Sequence, residues 1–336
     1  MNSDNRSGST LSAAICLKSG GLAKLIAEDG LRGVTSNPSI FEKAIGHGDD
    51  YDALIAQAEA SGDLDPGALF EDLAVRDIQE GADTLNSVYE QTQRRDGFIS
   101  LEVSPYLAMN THETIEEARR LWREVNRRNL MVKVPGTKPG LTAIRTLISE
   151  GINVNVTLLF SQQVYAEVAE AYISGLEAFA KKGGDPHKVA SVASFFVSRI
   201  DTLVDDELDK KIAAAADPAE KARSQALKGK VAIANAKLAY RALPADLFWT
   251  SAGSASAQQG AQTQRLLLGQ HRDQEQGLQR CSLCRRADRA RHGQHDAAGD
   301  DGCLSRPRQA APQPRGGCLP RAKTVMDALP AAGISI

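Results

Sequence analysis

The run NLMVKVPGT, Asn129 to Thr137, is apolar except for one lysine, Lys133. Its valines and the Pro135-Gly136 break after it mark a buried β-strand that ends in a loop. Strand side chains alternate between two faces, so Leu130, Val132 and Val134 share one face while Met131 and Lys133 share the other. The same parity recurs along the chain. In FISLEV, Ile99, Leu101 and Val103 oppose Ser100 and Glu102; in INVNVTLL, Val154, Val156 and Leu158 oppose Asn153, Asn155 and Thr157. GVTSNP puts Thr35 and Asn37 on one face, and SVASFFVS does the same for Ser194, Phe196 and Ser198.

Five strands are therefore expected, within LRGVTSNP, GFISLEVSP, NLMVKVPGT, INVNVTLLF and VASVASFFVSRI. Helical patterns lie between or after them: ETIEEARRLWREVNR, GLTAIRTLISEG, SQQVYAEVAEAYISGLEAFAKK and one long run, DPAEKARSQALKGKVAIANAKLAYRAL. Strand–helix alternation predicts a parallel sheet with helices outside it. An open sheet covered on both sides wants apolar residues on both faces. One apolar and one polar face, strand after strand, predicts instead a closed (β/α)8 TIM barrel, with the polar face turned inward. Thr35, Asn37, Glu102, Lys133, Asn155, Thr157 and Ser194 then converge at the C-terminal mouth, where such barrels carry their chemistry. A strand lysine is more often a snorkelling surface residue, and a strand Glu is more often exposed. Separate surface roles do not predict that these residues share one parity on successive strands. A desolvated lysine favours the neutral amine, which attacks carbonyls to form a Schiff base; a neighbouring carboxylate, here Glu102, moves the protons. Arg199, just beyond the fifth strand, suits a phosphate.

The whole chain sets limits. It has 336 residues, 42% of them hydrophobic and 24% charged, and a net charge of −2, enough for a sizeable core and without the charge excess that nucleic acid or an anionic membrane would call for. No apolar run reaches the length of a membrane span. The first residues read as non-secretory, and five cysteines, an odd number, do not make a disulfide framework, so a reducing cytoplasm is expected. Residues 1–249 read as the main part of a single barrel domain. Residues 250–322 contain no Val, Ile, Phe, Tyr, Trp, Met or Lys, and that composition predicts a disordered or misfolded segment. Residues 323–336 read as a C-terminal helix.

GVTSNPSIF (Gly33–Phe41) and LMVKVPGTKPGL (Leu130–Leu141) resemble the two signature motifs of the transaldolase family, and ISLEVSP, INVNVTLLFS and ASFFVSRID resemble three further blocks of it. The resemblance runs almost continuously from about Ser19 to Leu243. It implies a β/α barrel that needs no cofactor or metal. It also implies transfer of a dihydroxyacetone unit from sedoheptulose 7-phosphate to glyceraldehyde 3-phosphate, in the pentose phosphate pathway. It assigns Lys133 as Schiff-base nucleophile and Glu102, with Thr157 and a water, as proton-transfer group. Asn37 and Asn155 would hold substrate hydroxyls and Thr35 would shape the site. Ser194 and Arg199 would bind phosphate, with Phe196 lining the pocket. The implied partners are phosphorylated sugars, not nucleic acid or membrane; oligomeric state has no signature in the pattern.

Strands 1, 7 and 8 of such a barrel are degraded or unreadable. STLSAAICLKSGG lacks the family's first-strand Asp, and RLLLGQHRDQE stands where the family has a run like LLWASTGTKN. One extra C ahead of TGG GCC AGC ACC GGG ACC AAG AAC, codons for WASTGTKN, gives CTG GGC CAG CAC CGG GAC CAA GAA, which spells Leu268 to Glu275 as they stand. A shifted reading frame is therefore expected there. The alternative to an active transferase is a catalytically impaired derivative that at most binds sugar phosphates. Cys281, Cys284, His292 and His295 make no convincing zinc site, and the Arg-rich stretch, interspersed with acids, makes no convincing nucleic-acid tail.

Overall fold

A strand at Leu130–Pro135 does form from NLMVKVPGT, and every residue in it is buried. The computed structural model describes residues 20–36, 38, 41–42, 45, 51–61, 65–242, 260–269 and 318–334. In chain order, the elements up to the third strand are α1 (Gly21–Glu28), β1 (Gly33–Thr35), α2 (Asp52–Ser61), α3 (Pro66–Gln91), β2 (Phe98–Glu102), α4 (Thr111–Val125) and β3 (Leu130–Pro135). Next come α5 (Lys138–Ile148), β4 (Val154–Leu159), α6 (Gln162–Lys181), β5 (Ser191–Phe196), α7 (Ser198–Ala214), α8 (Pro218–Leu227) and α9 (Val231–Ala242). The last two are β6 (Arg265–Gly269) and α10 (Cys318–Ala328). The sheet order is β1-β2-β3-β4-β5-β6, each strand beside its neighbour in sequence, and the pairings β1–β2, β2–β3 and β3–β4 are parallel. A β/α barrel uses this order.

Contacts divide the chain into two compact units. The first comprises Met1–Leu159, Glu167–Ser194 and Ala245–Leu266. The second comprises Phe160–Ala166, Phe195–Pro244 and Leu267–Ile336.

In the first unit, local chemistry starts each helix where the side chains allow. Asp65 accepts from Gly67 N ahead of Pro66 in α3, Asn110 from Glu113 N ahead of α4, and Thr137 Oγ1 from Gly140 N ahead of α5. Each side chain satisfies a backbone donor that an open helix end leaves without a partner. Gly140 has a second reason to be glycine: a Cβ there would stand 2.1 Å from the Pro135 carbonyl oxygen. The first turn of α5 thus packs directly on the end of β3.

Leu130, Val132, Val134, Val154 and Val156 are fully buried, as are Ile144 and Leu147 of α5. On the opposite parity the strands begin apolar: Phe98, Met131 and Ala190 cluster with Tyr89, and Phe98 meets Tyr89 edge to face at 5.3 Å. Only further along do Ser100, Glu102, Lys133 and Asn155 take over. The Lys133 face is therefore polar in its C-terminal half, while its start is apolar on β2 and β3 and carries at β4 the buried Asn153, which bonds the backbone of Arg128, Leu130 and Ala190.

In the second unit, the expected single helix from Asp217 onward is two helices. Gly229, at φ 66°, interrupts it in a left-handed conformation that glycine adopts without strain. Asp205 accepts a hydrogen bond from Gly229 N at 3.0 Å, and Asp201, one turn earlier on α7, accepts from Ala232 N at 3.1 Å. Burial pushes the Asp201 carboxyl up to about 6; the Ala232 N–H opposes this and nearby Asp205 adds to it. The expected fifth strand also stops sooner. α7 begins at Ser198, so Arg199 lies in the first turn of a helix.

Among the described residues, two elements intrude on residues 250–322. β6 forms at Arg265–Gly269 beside β5, although the composition predicts no strand there. An average over a long stretch hides three consecutive leucines, Leu266 to Leu268. Side chains of the first unit hold the approach to β6. Gln262 Nε2 donates to the carbonyls of Arg94 and His187, Gln264 Nε2 donates to Ser191 Oγ at 2.9 Å, and Arg265 pairs with Asp96 at 2.6 Å. The C-terminal helix begins at Cys318 rather than residue 323. It ends at Ala328, ahead of a 3-10 turn at Pro330–Ala332.

Candidate active site

Parallel pairing fixes the centre of the site. Glu102 of β2 stands in register with Lys133 of β3, and Lys133 stands in register with Asn155 of β4. Three polar side chains thus occupy one rung on three adjacent strands. The Lys133 side chain is 9% exposed and that of Glu102 is 15% exposed. Lys133 Nζ donates to Glu102 Oε2 at 2.8 Å and to the Ser36 carbonyl at 3.1 Å. An ammonium enclosed this way is held by its carboxylate and cannot attack anything. Once a proton leaves, the nitrogen is a nucleophile, and the nearest base to receive that proton is Glu102 itself.

Asn155 is the hub on the other side of the lysine. Its Nδ2 donates to Ser100 Oγ at 2.9 Å and, at the limit of hydrogen bonding, to Thr35 Oγ1 at 3.5 Å; its Oδ1 accepts from Ser194 Oγ at 2.8 Å. A carboxamide oxygen has two lone pairs, so Oδ1 keeps one for a further hydroxyl. Ser100, Asn155 and Ser194 are all buried, while Thr35 is exposed. Thr157 follows Asn155 on the same face of β4, buried and in register with Pro135. The residue after it, Leu158, has φ 62°, a left-handed conformation that costs a branched side chain about 1–2 kcal/mol. Strain of this kind concentrates where surrounding structure fixes a functional segment.

Of the residues singled out in the sequence, Lys133 is hydrogen-bonded to Glu102, and Asn155 to Ser194 and Thr35; strand register sets the two groups side by side, and Thr157 lies next along β4. Asn37 lies outside the described residues. Phe196 and Arg199 belong to the second unit. There Phe196 stacks on Phe160 at 5.2 Å, and the Arg199 guanidinium sits over the Phe196 ring at 4.9 Å from its centre. Arg199 is exposed, and its charge is thereby held against an aromatic face while its donors remain open to solvent.

Two residues of the network were not picked out from the sequence. Ser100 shares the face of Glu102, so the parity rule already placed it inward. Ser36 has the opposite parity, and it takes part through its backbone carbonyl, which no side-chain pattern reveals. Among the described residues no group of three or more His, Cys, Asp or Glu side chains is arranged to hold a metal. Cys281, Cys284, His292 and His295 lie outside those residues.

Residues 15–272 match the family described as Transaldolase/Fructose-6-phosphate aldolase. The chain is 48% identical over 251 residues to a transaldolase of Trichodesmium erythraeum, an alignment that takes in 75% of this chain and 66% of that protein. It is 46% identical over 252 residues to transaldolase 2 of a Nostoc species and 46% identical over 251 residues to a transaldolase of Thermobifida fusca, with the same coverage. The chain therefore spans just under two thirds of the length of these relatives.

Proposed function

Because this chain belongs to the transaldolase/fructose-6-phosphate aldolase family, a family of eight-stranded β/α barrels, we propose that it transfers a dihydroxyacetone unit between phosphorylated sugars through an imine on Lys133. The observation that carries the reading is a buried lysine amine 2.8 Å from a carboxylate, on the rung that also bears Asn155. In this scheme the Lys133 amine, having passed a proton toward Glu102, adds to the ketose carbonyl. Loss of water gives a protonated imine, which accepts the electrons of the breaking carbon–carbon bond. The aldehyde half departs, and the carbanion equivalent left on the lysine adds to the carbonyl carbon of an acceptor aldehyde. Water then returns, releasing the new ketose and the free amine.

Glu102, with Thr157 and a water, handles the proton transfers. The spare lone pair of Asn155 Oδ1 and the Ser194 oxygen accept from substrate hydroxyls, Asn37 joins them, and Thr35 borders the site. Arg199 takes a phosphate, with Phe196 beside it. Sedoheptulose 7-phosphate as donor and glyceraldehyde 3-phosphate as acceptor are the substrates the resemblance favours. The site of action is the cytoplasm, a placement that rests on the cysteine content. No helix among the described residues is long and apolar enough to cross a membrane. Arginines in and just after α4 pair with acids, Arg119 with Glu150, Arg120 with Glu71 and Glu117, and Arg127 with Asp83, which disfavours a nucleic-acid partner.

Borohydride reduction in the presence of fructose 6-phosphate tests the chemistry. A stable adduct that mass spectrometry maps to Lys133 is expected, and no adduct on that residue refutes the imine. Coupled assays with and without an acceptor aldehyde then separate transfer from simple aldol cleavage. A second reading, an impaired transferase, is favoured by the composition break that begins near β6. It predicts trapping at Lys133 with little turnover, and recovery of turnover when the reading frame after Leu267 is restored.

A further inference from the structure

We propose that Ser36 is a positioning residue for Lys133, acting through its own backbone carbonyl. This rests on the reading of Lys133 as the imine-forming amine. Ser36 is the first residue beyond β1 and is 2% exposed. The β1–β2 pairing runs only to Thr35 and Ser100. Past that point one oxygen, the Ser100 carbonyl, accepts twice from Ser36: from the hydroxyl at 2.7 Å and more weakly from the backbone N–H at 3.4 Å. The side chain thus reinforces the long last bond of the ladder, and it pins the turn onto β2. The peptide held in this way presents its carbonyl to Lys133 Nζ at 3.1 Å.

The consequence concerns direction. A neutral lysine amine has two hydrogens and one lone pair. Once Glu102 has relayed the proton onward to water and is a carboxylate again, the structure supplies two acceptors for those hydrogens, the Ser36 carbonyl at 3.1 Å and Glu102 Oε2 at 2.8 Å. With both hydrogens engaged, the lone pair has one direction left, and that direction is where the substrate carbonyl carbon must lie. Orientation of this kind governs the rate of attack and not the affinity for sugar. Without the hydroxyl, the carbonyl of residue 36 loses its anchor, and the lone pair loses its aim.

The test is single-turnover borohydride trapping with fructose 6-phosphate, read as adduct on Lys133 per folded molecule, across a range of sugar concentrations. Ser36→Ala is expected to slow trapping about tenfold to a hundredfold while half-saturation stays near that of the parent chain. Ser36→Thr, which keeps a hydroxyl, is expected to restore the rate to within about twofold. Ser36→Cys keeps the volume with only a weak donor; it is expected to be slow like alanine, and it carries the test alone if the alanine variant does not fold. A parent chain that gives no adduct on Lys133 removes the underlying reading. A parent chain that traps, with alanine or cysteine variants trapping equally fast, overturns only the role of Ser36. A threonine variant as slow as alanine, or a loss confined to half-saturation, overturns it as well.

Discussion

Replacing Lys133 by methionine and Glu102 by leucine, singly and together, measures whether the central pair is a formed ion pair. At 2.8 Å and an effective dielectric of about 20, two unit charges attract by about 6 kcal/mol, before the cost of taking them out of water is set against it. That desolvation cost is of similar size, so the pair as a whole contributes little, but each partner depends on the other. The side chains are 9% and 15% exposed, so solvent does little to rescue a widowed charge. Each single variant is therefore expected to lose about 3–5 kcal/mol of stability, and the double variant only about 1 kcal/mol. Urea unfolding followed by circular dichroism at pH 7.5 supplies the numbers. Both chains that carry Lys133→Met lack the amine to which the chemistry is assigned, so their stability is compared without it. Losses that add to within about 0.5 kcal/mol would mean that lysine and glutamate do not hold each other, and the proton path assigned to Glu102 would fall with them.

Asp201→Asn keeps an oxygen for the Ala232 N–H and removes a charge that burial disfavours. Because the folded carboxyl sits at about 6, above its unfolded value near 4, the folded chain binds this proton more tightly. Asp201 thus lowers stability progressively as pH rises from about 4 to 6, and the asparagine variant is expected to be more stable by at most about 3 kcal/mol at pH 8; denaturation curves at pH 4, 6 and 8 check that the gain vanishes at the acid end. Asn155→Ala leaves the Ser194 and Ser100 hydroxyls without their shared partner and is expected to cost about 2–4 kcal/mol, read from the urea midpoint, along with most of the trapping at Lys133. Gly140→Ala drives a methyl into the Pro135 carbonyl and is expected to cost about 3 kcal/mol by the same measurement.

The centre of the fold was legible because strands speak through parity. Lys133, Glu102, Asn155 and Ser194 were placed on a common face by alternation alone, and their hydrogen bonds follow from that placement. The helix starts were read less well: the runs picked out by periodicity begin at Glu113 and Gly140, whereas the helices begin at Thr111 and Lys138, behind the capping side chains of Asn110 and Thr137. Three features escaped for physical reasons. The break at Gly229 sits inside an unbroken helical pattern, and the carboxylates that stabilise it come from α7, remote in sequence. β6 rests on three leucines and on partners remote in sequence, the backbone carbonyls of Arg94 and His187 and the side chains of Asp96 and Ser191, which a composition window cannot see. Ser36 meets Lys133 through a main-chain oxygen, which every residue possesses, and its hydroxyl is turned to the Ser100 carbonyl, so side-chain parity gives no hint of the contact.

Glu102, Lys133 and Asn155 lie on one rung of the sheet, with neighbouring strands about 4.8 Å apart. The spacing of acid, amine and amide is therefore inherited from the weave of the backbone and owes nothing to the excursions that follow each strand. Those excursions can be cut, lengthened or exchanged while the trio keeps its metric. Under the proposed chemistry, a scaffold of this kind separates choice of guest from execution, and it invites grafting of foreign connections as a route to new acceptors.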